Sequence, residues 1–187
     1  MMPRNSAPCP LEYAMKQIKT TIPLLKQVVS MLEVDQFRCL TQPDGILVGQ
    51  INGKHANWNI KIQVLDQPGQ ASIRITSLFP AKIPDNRQAE VLEFINRQNS
   101  NFAVGYFFMP HGEGNVCFYS SVELMDGHLT QEMLRKILYC NLNTVDSHFT
   151  TIMSLVYGQM TADQAYQAIT EKFFPTQPQE KSDRTLQ

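Results

Sequence analysis

Three adjacent residues, Asp146, Ser147 and His148, have the side-chain types that acyl-transfer enzymes combine. On a helix, however, successive side chains point in different directions, so neighbours in sequence do not form a triad. The sequence contains neither the H-E-x-x-H pair of zinc proteases nor a glycine–lysine–serine or glycine–lysine–threonine phosphate loop. We therefore predict that the protein is not an enzyme, has no catalytic residue and uses no cofactor.

The residues that could bind a metal are too widely spaced to suggest a site. Zinc sites usually contain closely spaced pairs of ligands, and no C-x-x-C pair occurs among the four cysteines. The four histidines are equally dispersed. We predict free thiols and no metal. The residues concerned are Cys9, Cys39, Cys117, Cys140, His55, His111, His128 and His148.

The composition argues against two classes of partner. The 187 residues carry a net charge of −1, whereas nucleic-acid binding requires a clustered excess of lysine and arginine. No stretch approaches the roughly 20 apolar residues that span a bilayer. Residues 1–10 also lack the apolar run of a signal peptide. We expect a cytoplasmic protein with no membrane span and no nucleic-acid partner.

The spacing of apolar residues predicts both helices and strands. Apolar residues first recur every three or four residues, as in a helix; they then recur every second residue, as in a strand, and later return to the helical spacing. Grouped strands joined by short turns indicate antiparallel neighbours, and hence an α+β fold with a mainly antiparallel sheet and flanking helices, in the order α-βββ-α-ββ-α. The predicted helices cover 21–34, 85–99, 130–156 with a kink or break at 141–143, and 161–173; the strands cover 46–51, 57–65, 71–79, 102–109 and 115–123, with 36–40 as an optional first strand.

The domain organisation follows from where this periodicity begins and ends. We expect a flexible N-terminal lead over residues 1–20 and a single domain over residues 21–174. Residues 175–187 lack apolar periodicity, which is typical of a disordered tail.

Asn96 and Asn99 lie near the C-terminal end of the predicted helix 85–99. Asparagine is unfavourable inside a helix but bonds well to backbone groups at helix ends. These residues either tie the helix to the following strand or make a polar contact with a partner.

The hairpin formed by the last two strands has apolar residues on both of its sides. If Pro110 faces Asn115 across the turn, Phe107 faces Phe118 and one side can fill the core. The other side needs a cover, which is either a helix of this chain or another protein. The residues on that other side, our candidate partner-binding residues, are Tyr106, Phe108, Cys117 and Tyr119.

A pattern spread over residues 22–173 resembles a known family. It combines the helical run 90–99, a Gly-x-Phe sequence at 105–107, a Gly-x-Val-x-Phe sequence at 114–118, and Gly158 before the last helix. This pattern is similar to that of the YbjN family, which is described only loosely as regulators of sensory transduction. The resemblance implies a fold like that of type III secretion chaperones, which are not enzymes and usually form dimers that hold an extended client segment.

Two hypotheses about function remain open. The first is a non-enzymatic protein-binding module, chaperone- or adaptor-like, that holds a segment of a partner protein of unknown identity. A homodimer is one arrangement of such a module. The aromatic side of the hairpin favours this hypothesis, because in the family that side is usually more polar. The second is a regulator that senses a small ligand in a pocket between sheet and helices.

Overall fold

A computed structural model describes residues 23–42, 45–67 and 69–173. The predicted flexible lead, residues 1–20, and the predicted disordered tail, residues 175–187, lie outside the described residues. In chain order, the elements are α1 (Pro23–Val34), β1 (Leu40–Thr41), β2 (Ile46–Asn52), β3 (Asn57–Gln67), β4 (Gln70–Lys82), α2 (Asp85–Asn99), β5 (Tyr106–Phe108), β6 (Asn115–Leu124), a 3-10 turn (Met125–Gly127), α3 (Gln131–Val156) and α4 (Ala162–Phe173).

The six strands form one antiparallel sheet in the order β1-β2-β3-β4-β6-β5. Short turns join β2, β3 and β4, so these strands are neighbours both in sequence and in space. After β4, α2 carries the chain to the far edge, where β5 forms, and β6 then fills the place between β5 and β4. This topology confirms the predicted α+β class and its antiparallel sheet.

The described helices pack on one side of this sheet. α1 contacts β3, α3 contacts β4 and β6, α2 contacts β5, and α4 contacts α2 and α3. Burial alternates accordingly along β3, where Trp58, Ile60 and Ile62 are buried while Asn59 and Lys61 are exposed. We call the side under the helices the helix face and the opposite side the outer face.

A buried polar network fixes α3 on the helix face. Asn141 is fully buried, and its amide nitrogen donates to Ser120 Oγ at 2.9 Å and to the Phe118 and Ile75 carbonyl oxygens at 3.3 Å each. Its Oδ1 accepts a hydrogen bond from Ser77 Oγ at 2.6 Å. The predicted kink or break at 141–143 is wrong, since α3 continues through it. The asparagine bonds to the sheet and leaves the helix intact.

Two predicted strands are shorter in the structure. The optional strand 36–40 is reduced to β1, because Gln36 turns the chain with a φ of 57°. The predicted strand 102–109 is reduced to β5, because the chain enters it through Gly105 with a φ of 86°. Positive φ interrupts a strand, so neither segment is extended over its predicted length.

The strand before α2 is three residues longer at its end than predicted. We predicted that this strand, 71–79, ends at residue 79, yet β4 runs on through Pro80 to Lys82. Its pairing with β6 shifts register between Leu78 and Lys82. An irregularity of this kind accommodates proline, which cannot donate a ladder hydrogen bond.

Side chains of α2 hold the turn between α3 and α4. Arg87 Nε donates to the Leu155 carbonyl oxygen at 2.9 Å, near the C-terminus of α3. A carboxylate oxygen of Glu90 accepts a hydrogen bond from the backbone N–H of Ala162, the first residue of α4. A cation at a helix C-terminus and an anion at a helix N-terminus both oppose the local helix dipole charge favourably. The three helices are therefore joined at one corner.

Candidate functional site

The acid–serine–histidine sequence does not form a triad in the structure. The Asp146 carboxylate binds elsewhere, 3.3 Å from His55 Nδ1. Ser147 Oγ lies 3.1 Å from His148 Nδ1, but this nitrogen also lies 2.8 Å from the Thr144 carbonyl oxygen. Because a carbonyl oxygen only accepts, Nδ1 carries the hydrogen and is not placed to take a proton from the serine. This geometry lacks the base that an activated serine needs.

The three cysteines that the structure describes are free thiols. Cys117 is buried, and Cys39 and Cys140 are half-buried. Burial raises the pKa of the Cys39 thiol and of the Cys117 thiol to about 11. Both thiols are therefore protonated at neutral pH.

Over residues 23–42, 45–67 and 69–173, no group of three or more histidine, cysteine, aspartate or glutamate side chains is placed to hold a metal ion. No helix in these same ranges is both long enough and apolar enough to cross a membrane.

The hairpin of β5 and β6 has the register that the sequence predicts. Phe107 faces Phe118, Tyr106 faces Tyr119, and Phe108 faces Cys117. Phe107 and Phe118 are buried on the helix face, with ring centroids 4.7 Å apart. The pleat therefore brings the four candidate residues together on the outer face. They are Tyr106, Phe108, Cys117 and Tyr119.

Three of these residues form a cluster that we call the aromatic patch: Tyr106, Phe108 and Tyr119. The ring centroid of Tyr106 lies 5.2 Å from that of Tyr119 and 5.9 Å from that of Phe108. Tyr106 is 47% exposed, and the other two rings are half-buried. Cys117 is only 4% exposed, so this fourth candidate offers almost no surface of its own.

Beside the aromatic patch, the outer face has a shallow concavity of about 660 Å³, which we call the outer groove. Its floor includes Val48, Leu78 and Cys117, and its rim includes Leu40 and Lys61. Leu40, in the edge strand β1, is 76% exposed and adds apolar surface to this rim. Cys117 and Thr76 of the groove pair with Phe108 and Tyr119 of the patch, so the two regions adjoin on the outer face.

Asn99 connects the end of α2 to β5, which is the first of the two roles predicted for it. Its Oδ1 accepts the Phe107 N–H at 2.7 Å, and its Nδ2 donates to the Phe107 carbonyl oxygen at 2.9 Å. The side-chain amide therefore takes the position that a neighbouring strand would occupy. Asn96, in contrast, is exposed.

Gly105 allows β5 to approach β6 closely. A Cβ atom at this position would lie 2.5 Å from the Tyr119 carbonyl oxygen and 2.8 Å from the Phe118 ring. The residue also has a φ of 86°, which glycine adopts readily and other residues do not. The Gly-x-Phe sequence therefore sets the geometry from which both hairpin faces follow.

A second concave region lies between α2, α3 and α4, with a volume of about 540 Å³. We call it the helix cavity. The residues that line it are uncharged and combine aromatic with polar side chains. They include Gln98, Phe102, Ser147, His148, Tyr166 and Phe173.

The polar wall of the helix cavity contains two unusual side chains. Gln98 is 1% exposed and His148 is 2% exposed. Among the residues that the structure describes, the Nε2 atoms of both side chains have no hydrogen-bond partner. Burial lowers the pKa of His148 from 6.5 to about 4, and the nearby Lys172 charge acts in the same direction. The imidazole is therefore neutral at pH 7.

Sequence reasoning treated His148 as one of several scattered histidines and missed this cavity. A usable signal was present. The buried stripe of α3 repeats at three and four residues, and the polar residues Asn141 and His148 both fall on it. In α2, Gln98 likewise continues the buried positions Phe94 and Ile95. Polar residues on an apolar stripe indicate either a buried network or a binding site.

These features define an α+β protein with an antiparallel sheet, helices on one face, an apolar groove on the other face and a cavity between three of the helices. The model of the YbjN family, described as "Putative bacterial sensory transduction regulator", matches residues 23–154. This match covers more than half of the 187 residues, and the chain belongs to the YbjN family.

A solved structure also has this fold. It is the crystal structure of "YbjN, a putative transcription regulator from E. coli". The two structures superpose with a TM-score of 0.51 at 12% sequence identity, over 74% of this chain and 93% of that chain. At this identity, the likeness concerns the fold alone. No curated protein matches the sequence.

Proposed function

We propose that this member of the YbjN family regulates by binding, without chemistry of its own, and that it holds an apolar segment of a partner protein on its outer face. The observation that carries this proposal is the aromatic patch, whose central residue, Tyr106, is 47% exposed. Clustered tyrosine and phenylalanine side chains supply much of the affinity of protein interfaces. The outer groove beside the patch extends this apolar surface across the sheet.

The charges on the outer face indicate the chemistry of the segment. Lys61 lies in the same cross-strand row as Thr76, Tyr119 and Tyr106. Arg74 lies in the neighbouring row, opposite Ser121. These two cations border the apolar region, so the complementary segment is apolar with acidic residues beside it.

The geometry at β5 favours binding over the face rather than addition of a strand at this edge. Strand addition needs free N–H and carbonyl groups along an edge strand. In the three-residue strand β5, the groups of Phe107 are already bonded to Asn99. Side-chain contacts with the aromatic patch therefore provide the affinity in our proposal.

Site-specific photo-crosslinking tests this proposal directly. We would place a photoreactive phenylalanine analogue at position 108, in the patch, or at position 157, where a tyrosine is 71% exposed outside the patch. We expect a defined protein to crosslink from position 108 and not from position 157. A synthetic peptide covering the crosslinked segment should then bind the wild-type protein but not the Tyr106→Ser, Phe108→Ser variant.

Two results would contradict the proposal. Equal crosslinking from both positions would mean that the patch has no preferred partner. Crosslinks only within the same chain would mean that the protein covers its own patch. Crosslinks between two copies would make the homodimer the occupant, and the solution mass would then double.

The helix cavity favours a second candidate function, the sensing of a small ligand between sheet and helices. Its support is the cavity itself, about 540 Å³ between three helices, whose lining combines aromatic residues with polar ones such as Asn101, Thr144 and Ser147. A ligand that binds and stabilises the folded protein would raise its melting temperature in the absence of any partner protein.

A further inference from the structure

We propose that the partner segment on the outer face is an amphipathic α-helix of about four turns, which lies across the strands and carries an acidic residue over Lys61. The proposal rests on the proposed function, in which the aromatic patch binds a partner protein. It adds the conformation, the length and the charge pattern of the bound segment. The helix cavity plays no part in it.

A single row of side chains on the outer face crosses the whole sheet. Each of the six strands contributes one residue to this row, because residues of neighbouring strands pair directly. The outer groove contains the first part of the row, and the aromatic patch contains its end. The binding surface therefore runs across the strands and not along them. The members of this row, which we call the cross-sheet row, are Leu40, Val48, Lys61, Thr76, Tyr119 and Tyr106, from β1 to β5.

The length of the cross-sheet row matches that of an ordinary helix. Neighbouring strands lie about 4.8 Å apart, so the row of six strands extends over about 24 Å from Leu40 to Tyr106. An α-helix rises about 1.5 Å per residue, so about 16 residues cover this distance. One helical segment can therefore contact both the exposed Leu40 side chain and the aromatic patch.

A helix also suits a surface made of side chains. The N–H and carbonyl groups of the central strands are paired along the ladder and are not free to bind a segment that lies over them. An extended segment on this face would bury backbone groups, and the amide side chains in the groove, Gln42, Gln50 and Asn59, can pair only some of them. An α-helix pairs its own backbone groups, so it buries an apolar stripe without this cost.

The charges on the outer face give the charge pattern of the helix. Lys61 is exposed near the middle of the cross-sheet row, and Arg74 lies in the neighbouring row. Neither forms an ion pair with another residue that the structure describes. The described lining of the outer groove contains two cations, Arg38 and Lys61, and no aspartate or glutamate. The complementary helix therefore has apolar residues towards both ends of one face and an acidic residue between them.

Selection from a random peptide library tests the proposal without knowledge of the partner. A phage-displayed library of peptides of about 16 residues is selected on the full-length wild-type protein and depleted on the Tyr106→Ser, Phe108→Ser variant. Urea denaturation checks that this variant is folded, and Tyr106→Ser alone replaces it if it is not. We expect the enriched peptides to carry apolar residues at helical spacing, with an aspartate or glutamate near the middle. The Cα chemical shifts of a labelled, enriched peptide should be helical in the bound state.

The other outcomes separate the helix from the proposed function itself. Apolar residues at every second position of the enriched peptides would indicate an extended segment, which would overturn the helix while binding at the patch stands. Enrichment of basic instead of acidic residues would overturn the charge pattern. If no peptide distinguishes the wild-type protein from the variant, both the helix and partner binding at the patch are overturned. A doubled solution mass would then identify a second copy of this chain as the occupant.

Charge reversal at Lys61 tests the position of the acidic residue. Because Lys61 is exposed, Lys61→Glu should leave the fold intact and weaken the binding of an enriched peptide about tenfold. Replacement of the central acidic residue of the peptide by lysine should restore binding to this variant. Lys136→Glu, at an exposed position of α3, is the matched control and should leave binding unchanged. Equal losses from both reversals would contradict the proposed contact.

A variant of Leu40 tests whether the helix reaches the opposite edge of the sheet from the patch. Leu40→Ser removes apolar surface at the β1 end of the cross-sheet row and should weaken binding of the same peptide about tenfold. Val34→Ser, which removes a side chain that is 68% exposed at the end of α1, should have no effect. Unchanged binding to the Leu40→Ser variant would confine the peptide to the patch and overturn the proposed span.

Discussion

The side chain of Asn99 makes both backbone hydrogen bonds of Phe107, one as acceptor at 2.7 Å and one as donor at 2.9 Å. A residue at the end of a helix thus replaces the strand that is missing at the edge of the sheet. The position of Phe107 in turn decides that Tyr106 and Phe108 face outward. The aromatic patch therefore depends on a helix that lies on the other side of the sheet.

We predict that Asn99→Ala lowers the free energy of unfolding by about 2 kcal/mol, because it leaves two half-buried backbone groups without partners. Denaturation in urea measures this loss. Hydrogen exchange at the Phe107 amide should accelerate by more than exchange in the middle of β6, because the edge strand is the part released.

Asn96→Ala is the matched control for this prediction. Asn96 is exposed in the same helix, so its replacement should change the free energy of unfolding by less than about 0.5 kcal/mol. Similar losses for both variants would mean that helix propensity, and not the tie to β5, explains the effect of Asn99.

The buried amide of Asn141 leads to a second prediction. Asn141→Ala removes the four hydrogen bonds that this side chain makes with β4 and β6. We expect this variant to lower the free energy of unfolding by about 3 kcal/mol. Asn143→Ala, at an exposed position two residues later, should cost less than about 1 kcal/mol. Urea denaturation compares the two variants, and an equal loss would contradict the network as the source of stability.

The sequence predicted the hairpin but not the networks behind it, for a physical reason. Strand pairing has a period of two, so one turn between Pro110 and Asn115 determines which side every later residue faces. The contacts of Asn141 and His148 depend instead on where α3 lies over the sheet. Periodicity places these residues on the buried stripe, but the partners come from distant parts of the chain.

The same limit applies to element ends. The predicted strand 102–109 has the composition of a strand throughout, but only Tyr106–Phe108 is one. Gly105 adopts a positive φ because β5 must approach Tyr119 closely, and this requirement is tertiary. Local composition therefore predicted that a strand exists and did not predict its length.

A third prediction concerns pH. Burial lowers the pKa of His148 to about 4, against 6.5 in an unfolded chain, despite the opposing hydrogen bond to Thr144. Between these two values the unfolded state binds more protons than the folded state, so acidification favours unfolding. The contribution is fully present above pH 6.5 and falls by up to about 3 kcal/mol as the pH approaches 4.

Urea denaturation from pH 7 to pH 4 measures this dependence, and His148→Phe provides the comparison. The variant cannot titrate at this position, so the difference in unfolding free energy between wild type and variant should change across that interval. A constant difference over the whole interval would contradict the lowered pKa.

A fourth prediction concerns the aromatic patch in the absence of a partner. Because Tyr106 is 47% exposed and Phe108 is half-buried, the Tyr106→Ser, Phe108→Ser variant should lose only about 2 kcal/mol of unfolding free energy. Its solution mass measures assembly in the same experiment. Tyr157→Ser, at an exposed position elsewhere, should change neither quantity. A much larger loss of stability from the double variant would indicate that the patch is covered by its own chain.

Arg87 and Glu90 form hydrogen bonds at the turn between α3 and α4, and these bonds have a consequence for molecular recognition. The walls of the helix cavity come from α2, α3 and α4, and these side chains hold the three helices together before anything enters. A receptor that is preorganised in this way loses little conformational entropy when it is filled. Under the second candidate function, selectivity would then reside in the fixed shape of the cavity, and recognition would resemble lock-and-key fit more than closure around a ligand.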